Sequence, residues 1–311
     1  MNTIIIGMGA LGLLFGRCIA DNAGKDHIYY LMDSDRYRRH KDDIYRLNGE
    51  RMEFNIIDTD MIKELPFKKA DLVMIATKYG GLREAVDMMK DVTGDDTVIV
   101  SLLNGIISED IIAETYKREN IIDCVPIGMD AMRDGCSVDY TQIGKLQIGI
   151  RDASQKDAYS RLTGFFNETK IPYESVDDIR HAMWNKFMIN VGINQTCMVY
   201  GTTYSGAMNI PEAAEDLKGA MQEVVKLAEL EGVSLTKEDY DNDIRILSTL
   251  KPDSYPSMRQ DAVAGRYSEV ELFAGTMLSL AQKHGIELPV NRRYYDRIKE
   301  IESGYPNIGT R

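Results

Sequence analysis

Residues 184–195 read WNKFMINVGINQ, and three polar side chains there recur at every fourth position: Lys186, Asn190 and Asn194. At 3.6 residues per turn they form one slowly drifting stripe along a helix, each about 6 Å above the last. The intervening Trp184, Phe187, Met188, Ile189, Val191 and Ile193 mark the rest of that helix as buried. A single Lys could snorkel to solvent, and a single Asn could bond a neighbouring helix. Three in a column are better suited to lining a wet cleft. Such a cleft offers proton donation beside hydrogen bonding. A partly desolvated Lys has a lowered pKa, so it can release a proton near neutrality and still stabilise developing negative charge, as reduction of a carbonyl requires.

A second constellation is Gly7-Met8-Gly9-Ala10-Leu11-Gly12, which follows an apolar run and opens a helical pattern. Gly7 allows the tight turn, Gly9 lets the backbone approach a pyrophosphate, and Gly12 lets helix and strand pack closely. The helix N-terminus adds N–H donors and partial positive charge. These six residues are expected to hold a dinucleotide. Asp33, 21 positions after Gly12, ends the next apolar run, where a carboxylate bonds ribose hydroxyls and repels a 2′-phosphate, favouring NAD(H). Arg36, Arg38 and Arg39 follow at once and offer cations for that phosphate, or simply a solvated helix face. NAD(H) and NADP(H) both stay open. Lys78 in IATKYGG and Asn104 in SLLNGI follow two further strand-like runs. Ligands of open α/β sheets bind beyond such strand ends, although each also reads as a loop residue and Asn104-Gly105 as a turn.

The third mixture of polar and apolar residues is SYPSMRQDAVAGRYSEVE, 254–271. Ser257, Asp261 and Glu269 are candidates for a cleft, and Arg259 and Arg266 for surface cations.

These residues need elements to hold them. Residues 3–7, 28–33, 72–77, 97–103 and 121–127 read as strands, with helical patterns between them at 10–23 and 80–92. Three of the five are apolar almost throughout, as strands buried on both faces are. Strand–helix alternation of this kind predicts an α/β fold with an N-terminal Rossmann-type doubly wound parallel sheet. Further strands are expected around 135–150 and at 171–178. Beyond about 178 the pattern turns helical, as in IPEAAEDLKGAMQEVVKLAELEG, and no strand is expected in 180–311. The expected division is a dinucleotide-binding domain at 1–176 and an all-α substrate domain at 177–311, with a cleft between them as the usual place for a small molecule.

Composition narrows the partners. The chain has 311 residues, enough for two domains, with 44% hydrophobic and 28% charged residues. A net charge of −12 and a pI near 4.9 argue against nucleic acid or an anionic membrane surface, both of which need basic patches. Cys18, Cys124, Cys136 and Cys197 form no CxxC pair and no metal-like cluster, so free thiols and no metal are expected. The opening MNTIIIGMGALGLLFG lacks the charged segment and cleavage site of a signal peptide, and no apolar run approaches the roughly 18 residues of a membrane span. A cytoplasmic location is expected. Exposed apolar helix faces would point to a homodimer through the helical domain, but a sequence does not display them.

Taken together, GMGALG, TKYG, LNG, WNKFMINVGIN, SMRQDAVAGRYSEVE and HGIELPVN resemble, in that order and over nearly the whole chain, the ketopantoate reductase (2-dehydropantoate 2-reductase) family. This is part of the 6-phosphogluconate-dehydrogenase-like superfamily. The family's pattern around Ser257, Met258, Asp261 and Glu269 is matched, as is its Lys-x3-Asn-x3-Asn spacing. The resemblance implies hydride transfer from NADPH to the C2 ketone of ketopantoate, giving pantoate for pantothenate synthesis. Lys186 would protonate the alkoxide. Glu269 would bond the reacting oxygen or the substrate hydroxyl and orient Lys186. Asn190, Asn194 and Ser257 would hold substrate oxygens, Asn104 would lie near the nicotinamide ribose and substrate, and Lys78 near the cofactor. The chain departs from the family at Gln195-Thr196-Cys197, where Pro-Leu-Thr is usual, and at Tyr204 and Ser254, which align with substrate-facing asparagines. It also has Asp33 where Arg is common. The alternatives are a reductase of another branched 2-oxo acid and a dinucleotide-binding redox sensor without turnover. Keeping both Lys186 and Glu269 argues against the sensor.

Overall fold

The computed structural model describes residues 1–305, and the chain divides into two units, one ending at Ile179 and one beginning at Arg180. The first unit contains twelve strands among the described residues. They are β1 (Thr3–Ile6), β2 (Ile28–Met32), β3 (Tyr45–Leu47), β4 (Glu50–Met52), β5 (Asn55–Asp58), β6 (Leu72–Ile75), β7 (Val98–Ser101), β8 (Ile121–Ile127), β9 (Met132–Asp134), β10 (Ser137–Asp139), β11 (Lys145–Gly149) and β12 (Tyr173–Ser175). Its helices are α1 (Ala10–Ala23), α2 (Ser34–His40), α3 (Leu82–Met88), α4 (Ser108–Ala113) and α5 (Lys156–Thr169).

Eight strands form one sheet in the order β12-β11-β8-β7-β6-β1-β2-β5. Pairing is parallel from β5 to β8, β11 joins β8 antiparallel, and β12 adds in parallel to β11. The chain leaves β1 to one side for β2 and returns to its other side for β6, so β1 and β6 flank the switch point of a doubly wound sheet. Every residue of β1, β6 and β7 is buried. The two-residue period of the strands divides the core. Ile5, Tyr30, Met74 and Val100 pack with Leu13, Phe15 and Ile19 of α1 and Phe165 and Phe166 of α5. Ile4, Ile6, Val73, Ile75 and Ile99 pack on the other face with Leu82 and Val86 of α3 and Ile112 of α4. Of the smaller sheet, β4-β3-β10-β9, β10 falls within the strands expected around 135–150, while β3, β4 and β9 were not legible because their runs are short and interrupted by charges; β4 reads Glu-Arg-Met and is mostly exposed.

The second unit is helical, with no strand among the described residues: α6 (Ile179–Val199), α7 (Tyr204–Asn209), α8 (Pro211–Leu230), α9 (Lys237–Thr249), α10 (Ser257–Val263), α11 (Thr276–His284) and α12 (Pro289–Ser303). In helix α6, residues 191–198 are all buried. Gly192 lets α8 approach, since a Cβ there would lie 2.6 Å from Met221 and 2.9 Å from Leu217. Helices α8 and α12 both begin at proline, whose missing N–H is not needed in a first turn. Thr236 and Asp239 form a capping box at the start of α9. Among the described residues, no helix is long and apolar enough to cross a membrane, and no group of three or more His, Cys, Asp or Glu could hold a metal ion.

Candidate functional site

In the first unit the expected nucleotide residues gather at one edge of the sheet, the carboxyl ends of β1, β2, β6 and β7. Gly7 leaves β1 at φ +109°, and a Cβ on it would lie 2.5 Å from the carbonyl of Ala76, just past β6. A Cβ on Gly12 would lie 2.1 Å from the Gly7 oxygen. Both positions therefore require glycine for the turn to close against β6 and α1. Gly9 is the N-cap of α1 and provides no side-chain cap, and no acidic residue stands in the first turn. The leading N–H groups of a fourteen-residue helix are thus left to an anion, with Met8, Ala10 and Leu11 forming the turn around them. Those features fit the pyrophosphate of a dinucleotide.

Three residues that sequence reasoning did not nominate support this loop. The fully buried Tyr30 of β2 donates its hydroxyl hydrogen bond to the Gly12 carbonyl at 2.8 Å. Gly16 makes room for that ring, since a Cβ there would lie 1.8 Å from the Tyr30 hydroxyl. Arg133, at the β9 hairpin, donates to the Met8 carbonyl. The sequence signal was the Tyr29-Tyr30 pair in a strand-like run, with a glycine one turn past the motif.

Asp33 follows β2 and caps α2, accepting from the Arg36 N–H at 2.8 Å. Its other oxygen lies 3.3 Å from the Arg36 guanidinium, which also reaches Glu84 at 3.4 Å. Arg38 pairs with Asp35 instead, and Arg39 donates to the Asp35 carbonyl. Of the three arginines, Arg36 is the one beside Asp33. Lys78 is exposed, directly before a short helical turn at 79–81. Asn104 precedes Gly105, which has φ +94°. The Ala76 N–H bonds the Ile6 carbonyl and the Leu102 N–H the Ile75 carbonyl, both at 2.8 Å, so the chain keeps strand alignment as it approaches Lys78 and Asn104.

In the second unit the stripe is real. Asn194 is 5% exposed and its Nδ2 donates to Asn190 Oδ1 at 3.3 Å. Asn194 Oδ1 accepts from Ser257 Oγ at 3.2 Å and from the Met258 N–H at 3.4 Å. The structure thereby joins Asn190, Asn194 and Ser257 into one hydrogen-bonded row across α6 and α10. Asn190 Nδ2 is buried with no partner among the described residues, a donor left for a ligand.

Lys186 is half-buried on α6, one turn before Asn190. The next residue, Phe187, packs on Trp184 at 5.9 Å and on Phe273 at 6.2 Å between ring centroids. Phe273 belongs to a π-helical turn, Glu271–Gly275, which Glu269 introduces: its carbonyl accepts from the Leu272 and Phe273 N–H groups. π turns recur at functional sites because the extra residue re-aims the neighbouring chain. The segments bearing Lys186 and Glu269 thus meet through two phenylalanines. Ser268 fixes this segment by donating its N–H and hydroxyl to Glu302 at 2.8 and 2.6 Å. Asp261 pairs instead with Arg266 at 2.8 Å. Neither the π turn nor Glu302 was foreseen, since no residue type marks a π turn.

The departures from the family pattern have visible roles. Gln195 Nε2 donates to Asn291 at 3.2 Å and the Thr196 hydroxyl meets the Tyr294 hydroxyl at 2.6 Å, so both fasten α6 to α12. Tyr204 and Ser254 adjoin, the Tyr204 N–H donating to the Ser254 carbonyl at 2.9 Å. Burial, followed by the nearby Cys197 thiol, pushes the Tyr204 hydroxyl up to about 12.

Comparison with known proteins adds to this geometry. The family model "Ketopantoate reductase PanE/ApbA" matches residues 3–153, and its C-terminal companion matches residues 178–302. A 2-dehydropantoate 2-reductase of Streptococcus pyogenes serotype M3 is 25% identical over 97% of this chain and 98% of its own. A D-mandelate dehydrogenase solved with NADH and anilino(oxo)acetate has a TM-score of 0.85 at 21% identity, over 97% of this chain and 99% of that one. A dimeric ketopantoate reductase from Staphylococcus aureus has a TM-score of 0.80 at 20% identity, over 98% of this chain and all of that one.

Proposed function

The chain belongs to the ketopantoate reductase family of NAD(P)-dependent oxidoreductases, and from that premise we propose that it reduces a 2-oxo acid to the 2-hydroxy acid. The leading substrate is 2-dehydropantoate (ketopantoate), giving pantoate for pantothenate biosynthesis. The observation that carries this reading is the row Asn190–Asn194–Ser257, which joins the helix of Lys186 to α10, with the orphan donor Asn190 Nδ2.

A bound nicotinamide dinucleotide supplies the hydride. The chain's own residues do the rest. The first turn of α1, from Gly9 to Gly12, offers N–H groups to the pyrophosphate, and the roles proposed for the strand-end residues are contact with the cofactor for Lys78 and with the nicotinamide ribose and substrate for Asn104. Asn190 Nδ2, Asn194 and Ser257 hold substrate oxygens. Lys186 Nζ gives its proton to the oxygen of the reduced carbonyl, and Glu269 bonds that oxygen or a substrate hydroxyl and orients Lys186. Asp33 and Arg36 place a carboxylate and a guanidinium together where the adenosine ribose is expected, which supports use of NADH as well as NADPH. A homodimer is the proposed assembly, by analogy with the Staphylococcus aureus enzyme.

A second reading, another branched 2-oxo acid, is favoured by Tyr204 and Ser254 standing together in place of two asparagines. The test is initial-rate oxidation of NADPH and of NADH against a panel of 2-oxo acids. Turnover with ketopantoate at the highest kcat/KM supports the first reading, and preference for another member supports the second. Tight nucleotide binding with no turnover on any member overturns both and leaves a sensor.

A further inference from the structure

Helices α6 and α9 face each other through two polar rungs. In one, His181 Nε2 lies 3.1 Å from Asp239 Oδ2. In the next, one turn along each helix, Asn185 Nδ2 donates to Asp243 Oδ1 at 3.3 Å. Asp243 is fully buried. The second rung is incomplete in a specific way: Asn185 Oδ1 and Asp243 Oδ2 are both buried, and neither has a partner among the described residues. Both are acceptors while Asp243 is ionised. A buried carboxylate with an unbonded oxygen beside an unbonded carbonyl is costly on two counts. One proton on Asp243 Oδ2 removes both costs, because that O–H can donate to Asn185 Oδ1 while Asn185 Nδ2 continues to donate to Asp243 Oδ1.

We propose that Asp243 is a positioning residue for the helix that carries Lys186: as a neutral carboxylic acid it closes a two-hydrogen-bond ring with the Asn185 carboxamide and pins α6 one residue before Lys186. The link to catalysis rests on the reading of Lys186 given above. Burial pushes the Asp243 carboxyl up to about 7, in the direction the unpaired oxygens require. The charges acting on it are Asp239, one turn back on α9, which raises it, and His181 across on α6, which lowers it. Helix α7 also packs on α9 and has Tyr204 as its one titratable side chain. Above its titration Asp243 becomes a buried anion, the second bond of the ring is lost, and α6 is freed beside Lys186.

The closing experiment titrates the whole protein by NMR with carbon-13 at the aspartate carboxyls and, separately, at the lysine ε-carbons. Asp243→Asn assigns the carboxyl signal by its absence, and Lys186→Arg assigns the lysine signal. Asparagine at 243 can form the same ring at every pH, so the variant is a permanent mimic of the protonated state. The expected result is an Asp243 signal with a midpoint near 7 and a Lys186 signal that moves with the same midpoint in wild type but loses that response in Asp243→Asn. Titration of Asp243 in the ordinary aspartate range overturns the ring. A Lys186 signal indifferent to Asp243 overturns the positioning role. Thermal melts give a second reading of the ring. Between the ordinary aspartate value of about 3.9 and the raised folded value, the folded chain keeps a proton that the unfolded chain has released. Wild-type Tm should therefore fall relative to Asp243→Asn as pH rises through that window, then level off; a constant difference overturns the ring. None of these arms needs turnover, so failure of every 2-oxo acid would defeat the functional reading while leaving the ring to be judged separately.

Discussion

Asn194 Oδ1 accepts the Ser257 hydroxyl at 3.2 Å although 63 positions separate them, and through Asn190 this contact extends the row toward Lys186. The two asparagines therefore differ in role. Asn194 is nearly buried and its Oδ1 already accepts two hydrogen bonds, so replacing it with alanine strands Ser257 and the Met258 N–H, costing about 1–3 kcal/mol of stability. Asn190 has a donor to spare. Asn190→Ala should raise KM for the 2-oxo acid about tenfold, equivalent to about 1.4 kcal/mol, with a smaller loss of Tm than Asn194→Ala. Paired melts and initial rates on the two variants check this.

Gly12→Ala places a Cβ 2.1 Å from the Gly7 carbonyl oxygen. Backbone must move, at a cost of about 1–3 kcal/mol for overpacking, and the turn that presents the Gly9–Gly12 amides moves with it. Nucleotide affinity, read by fluorescence titration, should fall at least tenfold while the second unit keeps its helical circular dichroism. Unchanged affinity would remove the loop from the nucleotide site.

Asp33→Ala removes the cap on α2, worth about 1 kcal/mol, and leaves the Arg36 guanidinium, 3.3 Å from Asp33, with Glu84 as its remaining carboxylate. The ratio of kcat/KM for NADPH to that for NADH should rise about tenfold. Adding Arg36→Ala should abolish the gain, which the same assay measures.

Deep in the first unit, Asp123 is fully buried between Arg118 and Arg151, and Glu109 is buried beside them with its carboxylate on the Ser108 hydroxyl at 2.9 Å. Burial, reinforced by the Asp123 charge, holds the Glu109 carboxyl well above its ordinary range. Folded Glu109 thus keeps its proton where unfolded Glu109 has lost it, and the stability it contributes declines as pH rises from about 4.3 toward the raised value. Glu109→Gln should flatten that part of the Tm–pH curve. Asp123→Ala, which takes the shared carboxylate from Arg118 and leaves Arg151 with Asp110 at 2.7 Å, should cost about 3 kcal/mol in denaturant melts.

Much of this site was written in residue types and spacing. The stripe Lys186, Asn190, Asn194 needed only helical periodicity, and GMGALG needed only a strand before it and a helix after it. The main sheet was legible, apart from its edge strand Asn55–Asp58, because strands such as Leu72–Ile75 are apolar throughout. What escaped depends on distant partners. Nothing local in the sequence ties Tyr30 to Gly12 or Ser268 to Glu302, and the π turn after Glu269 has no residue signature. Gln195 and Thr196 depart from the family pattern, and their positions on α6 point them to Asn291 and Tyr294 on α12. A departure from pattern identifies a place, and only packing says which face it serves.

On the proposed reading, Lys186 gives the proton that completes reduction. General acid catalysis contributes about 100- to 10,000-fold and acts on kcat, whereas the role proposed for the asparagine row is substrate binding. Single-turnover oxidation of bound NADPH or NADH by the best 2-oxo acid, in wild type and Lys186→Ala, tests it most directly. The account predicts a fall of about 1,000-fold in the chemical step with nucleotide affinity preserved. A variant whose step stays within threefold of wild type would contradict it.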